Sequence, residues 1–141
     1  MSVVDGNSAA NGGKSLFLLF NHHLTKKQEE AARHTLNVTR IVEPPDELAL
    51  LWRHVPPELN EINGCLEPIR RWLRSEARRG DYVLIQGDFG ATYLMVTDAM
   101  KNGYIPIYST TYRMAVEENE CDDSVKVTHN FQHCIFRQYG R

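Results

Sequence analysis

Short apolar runs alternate along this chain with longer segments whose apolar residues recur at helical spacing. Residues 16–20 form a continuous apolar run, which is typical of a strand covered on both faces in a parallel sheet. Val38–Val42, Tyr82–Gln86 and residues 105–108 have the same character. Pro106 cannot donate a ladder hydrogen bond, so it places the last run near a sheet edge or a strand start. The pattern predicts four strands of a mostly parallel sheet.

Helical segments separate these strands. Thr25 is placed to cap a helix, and Gln28, three residues later, completes a capping box. Residues 46–54 carry apolar side chains at helical spacing, and residues 58–79 repeat that spacing over a longer stretch. Pro68 interrupts the longer stretch and predicts either a kink or a fresh helix start.

The C-terminal third continues the alternation. Residues 92–101 predict a helix that Gly103 caps at its C-terminal end. An acidic segment, residues 114–120, predicts a further helix whose charged side chains face solvent. Residues 125–136 then alternate between apolar and polar positions, as a final strand or hairpin does.

Strands alternating with helices predict an α/β, Rossmann-like three-layer sandwich, with a mostly parallel central sheet and helices on both faces. The first 14 residues are rich in Ser, Asn, Gly and Ala, and we expect a disordered leader there. Residues 15–141 then form one domain, since 141 residues with 42% hydrophobic content enclose a single core.

Charge and cysteine content narrow the class of function. A net charge of −2 gives no basic field for a long nucleic acid, so any phosphate contact must come from a local pocket. The three cysteines are widely spaced and form no CxxC pair, which fits reduced thiols in a cytoplasm. The leader lacks the apolar run of a signal peptide. We therefore expect a cytoplasmic protein with no membrane and no long nucleic acid among its partners.

The most informative segment is residues 81–96, in which an apolar strand leads into a glycine-containing polar turn and then a helix. Gly87 and Gly90 let the backbone bend and approach a ligand closely. The free amides that open the following helix point toward whatever lies above the strand end. This arrangement predicts an anion site whose natural occupant bears a phosphate.

Three polar segments follow strands and are expected to meet at the carboxyl edge of the sheet: residues 21–23, 86–92 and 109–113. They supply the candidate ligand-binding residues, which are Asn21, Gln86, Gly87, Phe89, Gly90, Ala91, Thr92, Ser109, Thr110 and Thr111. For Asp88 and Thr92, helix capping is about as good an interpretation as ligand contact. The hydroxyls of residues 109–111 likewise fit either a helix cap or an oxygen-rich ligand.

Three residues are candidates for catalysis: His22, Asp88 and Arg113. A guanidinium grips a phosphate with two hydrogen bonds, although an ion pair between Arg113 and Glu117 is equally compatible with the sequence. His22 follows the first strand and is placed to transfer a proton. A metal site is disfavoured, since His22 and His23 point to opposite faces of a strand and no third ligand is evident. The remaining histidines are interpreted as surface or structural residues: His34, His54, His129 and His133.

Long runs of the chain resemble a known family. They are residues 16–22, 80–93 and 105–111, with a closing strand like residues 128–137. These runs are similar to small accessory proteins that are encoded with type III CRISPR systems, and the likeness extends over nearly all of residues 16–139. It implies a ring nuclease with a Rossmann-like fold related to the CARF domain. Such proteins bind and open cyclic oligoadenylate, the second messenger made on detection of viral RNA.

The resemblance implies cyclic tetra-adenylate (cA4) as the ligand, whose opening switches off the effector nucleases. No cofactor is implied. In RNA-like linkages a ribose 2′-hydroxyl held in line attacks the neighbouring phosphorus without metal or water. The two-fold symmetry of cA4 predicts a homodimer with one ligand across its interface. Two other functions remain open: a non-enzymatic sponge or sensor of the messenger, and a mononucleotide-binding domain.

Overall fold

The computed structural model describes residues 13–119 and 125–141. Most of the predicted leader, together with Cys121, lies outside these described residues. The described strands are β1 Lys14–Phe20, β2 Val38–Val42, β3 Tyr82–Gln86, β4 Ile105–Asn119 and β5 Val125–Gln138. The described α-helices are α1 Lys26–Thr35, α2 Asp46–Arg53, α3 Glu67–Glu76 and α4 Phe89–Lys101.

The strands form one sheet in the order β2-β1-β3-β4-β5. β1 pairs in parallel with both β2 and β3, and β3 pairs in parallel with β4. Among the strands of the described residues, only β4 and β5 pair in an antiparallel manner. The predicted α/β class with a mostly parallel sheet is therefore confirmed.

Helices cover both faces of this sheet. On one face, Ala32 of α1 packs against Leu18 and Leu84. On the other face, Trp52 of α2, Leu73 of α3 and Met95 of α4 pack with the alternate strand residues, which are Phe17, Leu19, Val83 and Ile85. Because β1 and β3 are covered on both sides, all their central residues are apolar, and this explains their continuous hydrophobic runs.

Local sequence signals fix several helix ends. The Gln28 amide donates to Thr25 Oγ1 at 3.1 Å, and the Thr25 amide donates to Gln28 Oε1 at 2.9 Å. The predicted capping box is thus present at the N-terminus of α1. Gly103 takes a φ of 79°, and its amide donates to the Met100 carbonyl at 3.2 Å, which confirms the glycine end of α4.

Two predicted helices differ from the structure. The helix predicted over residues 58–79 begins only at Glu67, and Pro68 lies in its first turn, where a missing amide costs no hydrogen bond. The helix predicted over residues 114–120 is wrong as far as Asn119, because β4 continues to that residue. There the ladder to β5 overrides the helical preference of a short acidic segment.

No helix within the described ranges is long and apolar enough to cross a membrane.

Candidate functional site

The carboxyl ends of the parallel strands bring residues of all three predicted polar segments together, since His22, Gln86 and Ser109 line one pocket. Gln86 ends β3, and its side-chain Oε1 accepts a hydrogen bond of 2.8 Å from the Ser109 amide on β4. Phe20, the last residue of β1, lies opposite Gln86 in the ladder. The helix after β1, α1, packs on one face of the sheet, and the helix after β3, α4, packs on the other face. Sheets of this class bind ligands at the strand ends between two such helices.

A pocket of about 300 Å³ opens at this edge, beside the N-terminus of α1. The lining residues come from the end of β1 and the turn after it, from the N-terminal part of α1, and from β3, β4 and β5: Phe20, His22, His23, Thr25, Gln28, Gln86, Ser109, Thr111, Phe131 and His133. Thr25 is the N-cap of α1, so the positive end of that helix dipole adjoins the pocket. An anion is therefore favoured there.

A chain of buried polar side chains forms the floor of the pocket. Gln28 Nε2 donates to Ser109 Oγ at 3.3 Å, and Ser109 Oγ lies 2.6 Å from His133 Nδ1. Each of these three side chains is less than a tenth exposed. The capping box of α1 is in this way connected to the imidazole of β5, because Gln28 takes part in both.

His133 has two properties that suit it to proton transfer, a ring nitrogen that the described residues leave unpaired and a lowered pKa. Its Nε2 is buried and has no hydrogen-bond partner among the described residues. Burial, and secondarily the positive charge of Lys27, hold the pKa of the imidazole below its ordinary value. His133 is therefore neutral at pH 7. A neutral imidazole that retains an unused nitrogen is suited to accept a proton from a bound hydroxyl.

A β-bulge explains why the sequence did not identify His133. Ser109 pairs with Phe136 and Thr111 pairs with His133, so β4 advances by two residues while β5 advances by three. Strict alternation places residues 133 and 136 on opposite faces, whereas the bulge brings both to one face. Their rings accordingly lie 4.5 Å apart. Bulges of this kind redirect side chains beside functional sites.

Thr110 occupies the gap that the bulge leaves in the ladder. Its Oγ1 donates to the Ile135 carbonyl at 3.1 Å and accepts from the Ile135 amide at 3.1 Å. The hydroxyl thus replaces a pair of backbone partners, and Thr110 does not line the pocket. Its hydroxyl is thus bonded within the ladder at the bulge, whereas the sequence had suggested either a helix cap or a contact with an oxygen-rich ligand.

The glycine turn after β3 serves the core more than the pocket. A Cβ on Gly87 would lie 2.8 Å from the indole Nε1 of Trp52, which itself donates to the Gln86 carbonyl at 3.0 Å. Gly87 therefore makes room for a tryptophan. Asp88 is the N-cap of α4, and its carboxylate accepts from the Ala91 amide at 3.0 Å. Of the two interpretations of Asp88, capping is the one observed.

The other candidates from this turn also lie outside the pocket lining. Phe89 is 95% exposed, whereas the Ala91 side chain is buried in the core. A Cβ on Gly90 would meet nothing closer than 3.4 Å, so the backbone there does not require glycine. Thr92 Oγ1 is buried without a hydrogen-bond partner in the described part of the chain.

The remaining candidates divide between the pocket and its rim. His22 lines the pocket and packs edge-on against Phe20, with ring centroids 5.5 Å apart. Asn21 is exposed and does not line it. The Arg113 guanidinium lies over the Phe131 ring, 6.0 Å from its centroid. Because Arg113 is on a strand, the helical ion pair considered with Glu117 does not apply.

No group of three or more His, Cys, Asp or Glu residues suited to a metal ion occurs within the residues that the structure describes.

Two comparisons with known proteins give a match. The profile of the family described as "Uncharacterized protein MJ1673 family" matches residues 14–137. The protein named "Uncharacterized protein MJ1673" from Methanocaldococcus jannaschii is 46% identical over 125 residues, which cover 89% of this chain and 96% of that protein. No solved structure matches the chain significantly.

Proposed function

This chain belongs to the MJ1673 family, and we propose, from the resemblance of its sequence to type III CRISPR accessory proteins and from the pocket described above, that it is a cytoplasmic ring nuclease of type III CRISPR defence. In this proposal the protein binds cA4 and linearises it without a metal, so that the messenger no longer activates its effector nucleases. One observation carries the proposal. It is a neutral, buried imidazole, held 2.6 Å from Ser109 in a pocket at a helix N-terminus.

The surroundings of the pocket favour a phosphate diester. The N-terminus of α1 supplies a positive dipole end. Lys27 adds a full positive charge, and it lies close enough to His133 to lower the pKa of the imidazole. A negatively charged phosphate of the ligand, placed between the N-terminus of α1 and the Lys27 ammonium, offsets the positive charge of both groups.

The size of the pocket supports a dimer. Its volume of about 300 Å³ is at the lower end of the range for small-molecule pockets, so one protomer encloses only part of a cyclic tetranucleotide. The ligand has two-fold symmetry, and two protomers related by a two-fold axis present two such pockets to it. We therefore expect one cA4 to be shared by two chains.

The proposed reaction needs a proton acceptor and a proton donor. The ribose 2′-oxygen attacks the neighbouring phosphorus as its proton passes to His133 Nε2. The bond from phosphorus to the 5′-oxygen then breaks, and a proton from His22 reaches the leaving oxygen. The products are a 2′,3′-cyclic phosphate and a free 5′-hydroxyl. Alignment of the attacking oxygen contributes up to about 7–11 kcal/mol in the best cases.

Ser109 sets the tautomer that this mechanism uses. Its Oγ is within 3.5 Å of the Thr110 carbonyl, to which it donates, and this leaves the oxygen to accept from Gln28 Nε2 and His133 Nδ1. A proton on Nδ1 leaves the lone pair on Nε2, the nitrogen that serves as base. Arg113 is assigned to the rim, and Asp88 is given no proton-transfer role since it caps α4.

One observation favours the alternative of a sponge that binds cA4 without cutting it. His133 is only 6% exposed, so a ligand that fills the pocket without displacing its floor would not bring a 2′-hydroxyl to Nε2. Binding by α1 and Lys27 would then persist without ring opening.

Turnover of cA4 in excess over protein, in EDTA and with chromatographic separation of products, tests the proposal. We expect linear products from the wild type, a rate lower by about 10²–10⁴-fold for His133→Gln, and no change for His34→Gln, an exposed histidine of α1. Intact ligand that co-elutes with the wild type would support the sponge. Absence of binding would contradict both functions.

A further inference from the structure

An exposed aromatic ring stands at the rim of the pocket. Phe131 on β5 lines the pocket, yet 64% of its surface is exposed. Burying a phenylalanine in the core stabilises a fold, and Phe131 forgoes most of that gain. The ring therefore presents an uncovered apolar face beside a polar cavity.

The neighbouring strand places a cation against the same ring. Arg113 is the direct cross-strand partner of Phe131, and its guanidinium lies 6.0 Å from the ring centroid. A planar guanidinium and an aromatic ring are the two groups on which proteins stack unpaired bases. The pair combines a stacking surface with a positive charge for the adjoining phosphate.

The register fixes how far this pair lies from the proposed reaction centre. Thr111 pairs with His133, and Arg113 pairs with Phe131, so the two pairs are one same-face step apart on the hairpin. Two residues along a strand span about 7 Å. That separation is of the order of the distance from the phosphate of a nucleotide to its own base.

From these observations we propose that Phe131 and Arg113 form a base-binding subsite. It stacks one purine of the ligand while the attached ribose phosphate lies at Ser109 and His133. The inference rests on the proposed function. It adds that a base of the ligand, and not only a phosphate, is recognised at the rim of the pocket. Stacking recognises the face of the base and not its hydrogen-bonding edge, so the ring of Phe131 is the group on which this recognition depends.

The test uses cA4 in which one adenine is replaced by 2-aminopurine, a base whose fluorescence falls when it stacks. We expect quenching on binding to the wild type. Phe131→Leu keeps an apolar side chain but removes the ring, and we expect it to abolish the quenching and weaken binding by about 5- to 150-fold. Phe131→Tyr restores both. Tyr93→Leu is the matched control, because Tyr93 is an exposed aromatic on α4 outside the pocket lining.

Failure of the subsite and failure of the function give different results. If the wild type binds the analogue and Phe131→Leu binds it equally well with the same quenching, the subsite is wrong and the proposed function stands. A Phe131→Leu protein that changes its oligomeric state, with quenching retained in the bound fraction, would assign the ring to a protein interface and overturn the subsite. If the wild type does not bind the analogue or cA4, the proposed function fails and the subsite fails with it.

Discussion

Thr110→Val is the most informative perturbation of the site architecture, because it removes one hydroxyl from the bulge and preserves the shape of the side chain. Thr110 Oγ1 makes two hydrogen bonds of 3.1 Å to the backbone of Ile135. Each contributes about 0.5–1.5 kcal/mol net, so their loss costs about 1–3 kcal/mol. A valine suits a strand as well as threonine does, so the cost falls on the bulge and not on strand propensity.

Loss of the bulge has a specific consequence for His133. If β5 returns to regular pairing, alternation turns residue 133 to the opposite face from residue 136. The imidazole would then leave its bond to Ser109 and its buried position. Since burial is the main cause of its lowered pKa, that pKa would rise toward the ordinary value.

Titration of the histidine ring resonances by NMR measures this directly, and thermal unfolding gives the stability change. We expect Thr110→Val to raise the pKa of His133 and to lower the stability, while Thr110→Ser, which keeps the hydroxyl, resembles the wild type. An unchanged His133 titration in a destabilised Thr110→Val protein would refute the role given to the bulge.

Three further predictions concern stability. Gly87→Ala places a methyl group against the rigid indole of Trp52, so we expect a loss of about 1–3 kcal/mol in urea unfolding; an unchanged midpoint would show that the ring can move. Asp88→Ala removes the N-cap of α4 and should lower the free energy of unfolding by about 0.5–2 kcal/mol. Asp88→Asn retains an acceptor and should lower it less. Equal losses of stability for the two variants in thermal unfolding would count against capping. Because the pKa of His133 is lowered in the folded chain, the unfolded chain takes up that proton first. Neutral His133 thus makes its full contribution to the free energy of unfolding above pH 6.5, and that contribution is lost as the pH falls through the pKa of His133 in the folded chain. In His133→Gln this part of the pH dependence of stability should disappear.

Local signals in the sequence were sufficient for much of the fold. Thr25 and Gln28 specify a helix start through contacts three residues apart, and Gly103 specifies a helix end through its positive φ. The apolar runs of β1 and β3 predict burial on both faces, which is observed. Each of these features depends on neighbouring residues or on a simple periodicity.

The missed features depend on contacts between distant segments. His133 reaches the pocket only because of an extra residue in β5. The two-residue alternation of apolar and polar positions does not reveal where a single extra residue is inserted in a strand. Gly87 suggested a ligand, since the sequence does not reveal that Trp52 packs against it from 35 positions earlier. The acidic segment after Arg113 suggested a helix, since its pairing with β5 is not local.

In the proposed mechanism neutral His133 is the base that opens cA4, and the single-turnover rate in EDTA as a function of pH measures that role. We expect the rate of the wild type to fall on the acid side, as the pH drops through the lowered pKa of His133 and the imidazole becomes protonated. His133→Gln should bind cA4, cleave it about 10²–10⁴-fold more slowly at pH 7 and lose this acid limb. A His133→Gln protein with the rate and the pH profile of the wild type would show that His133 is not the base.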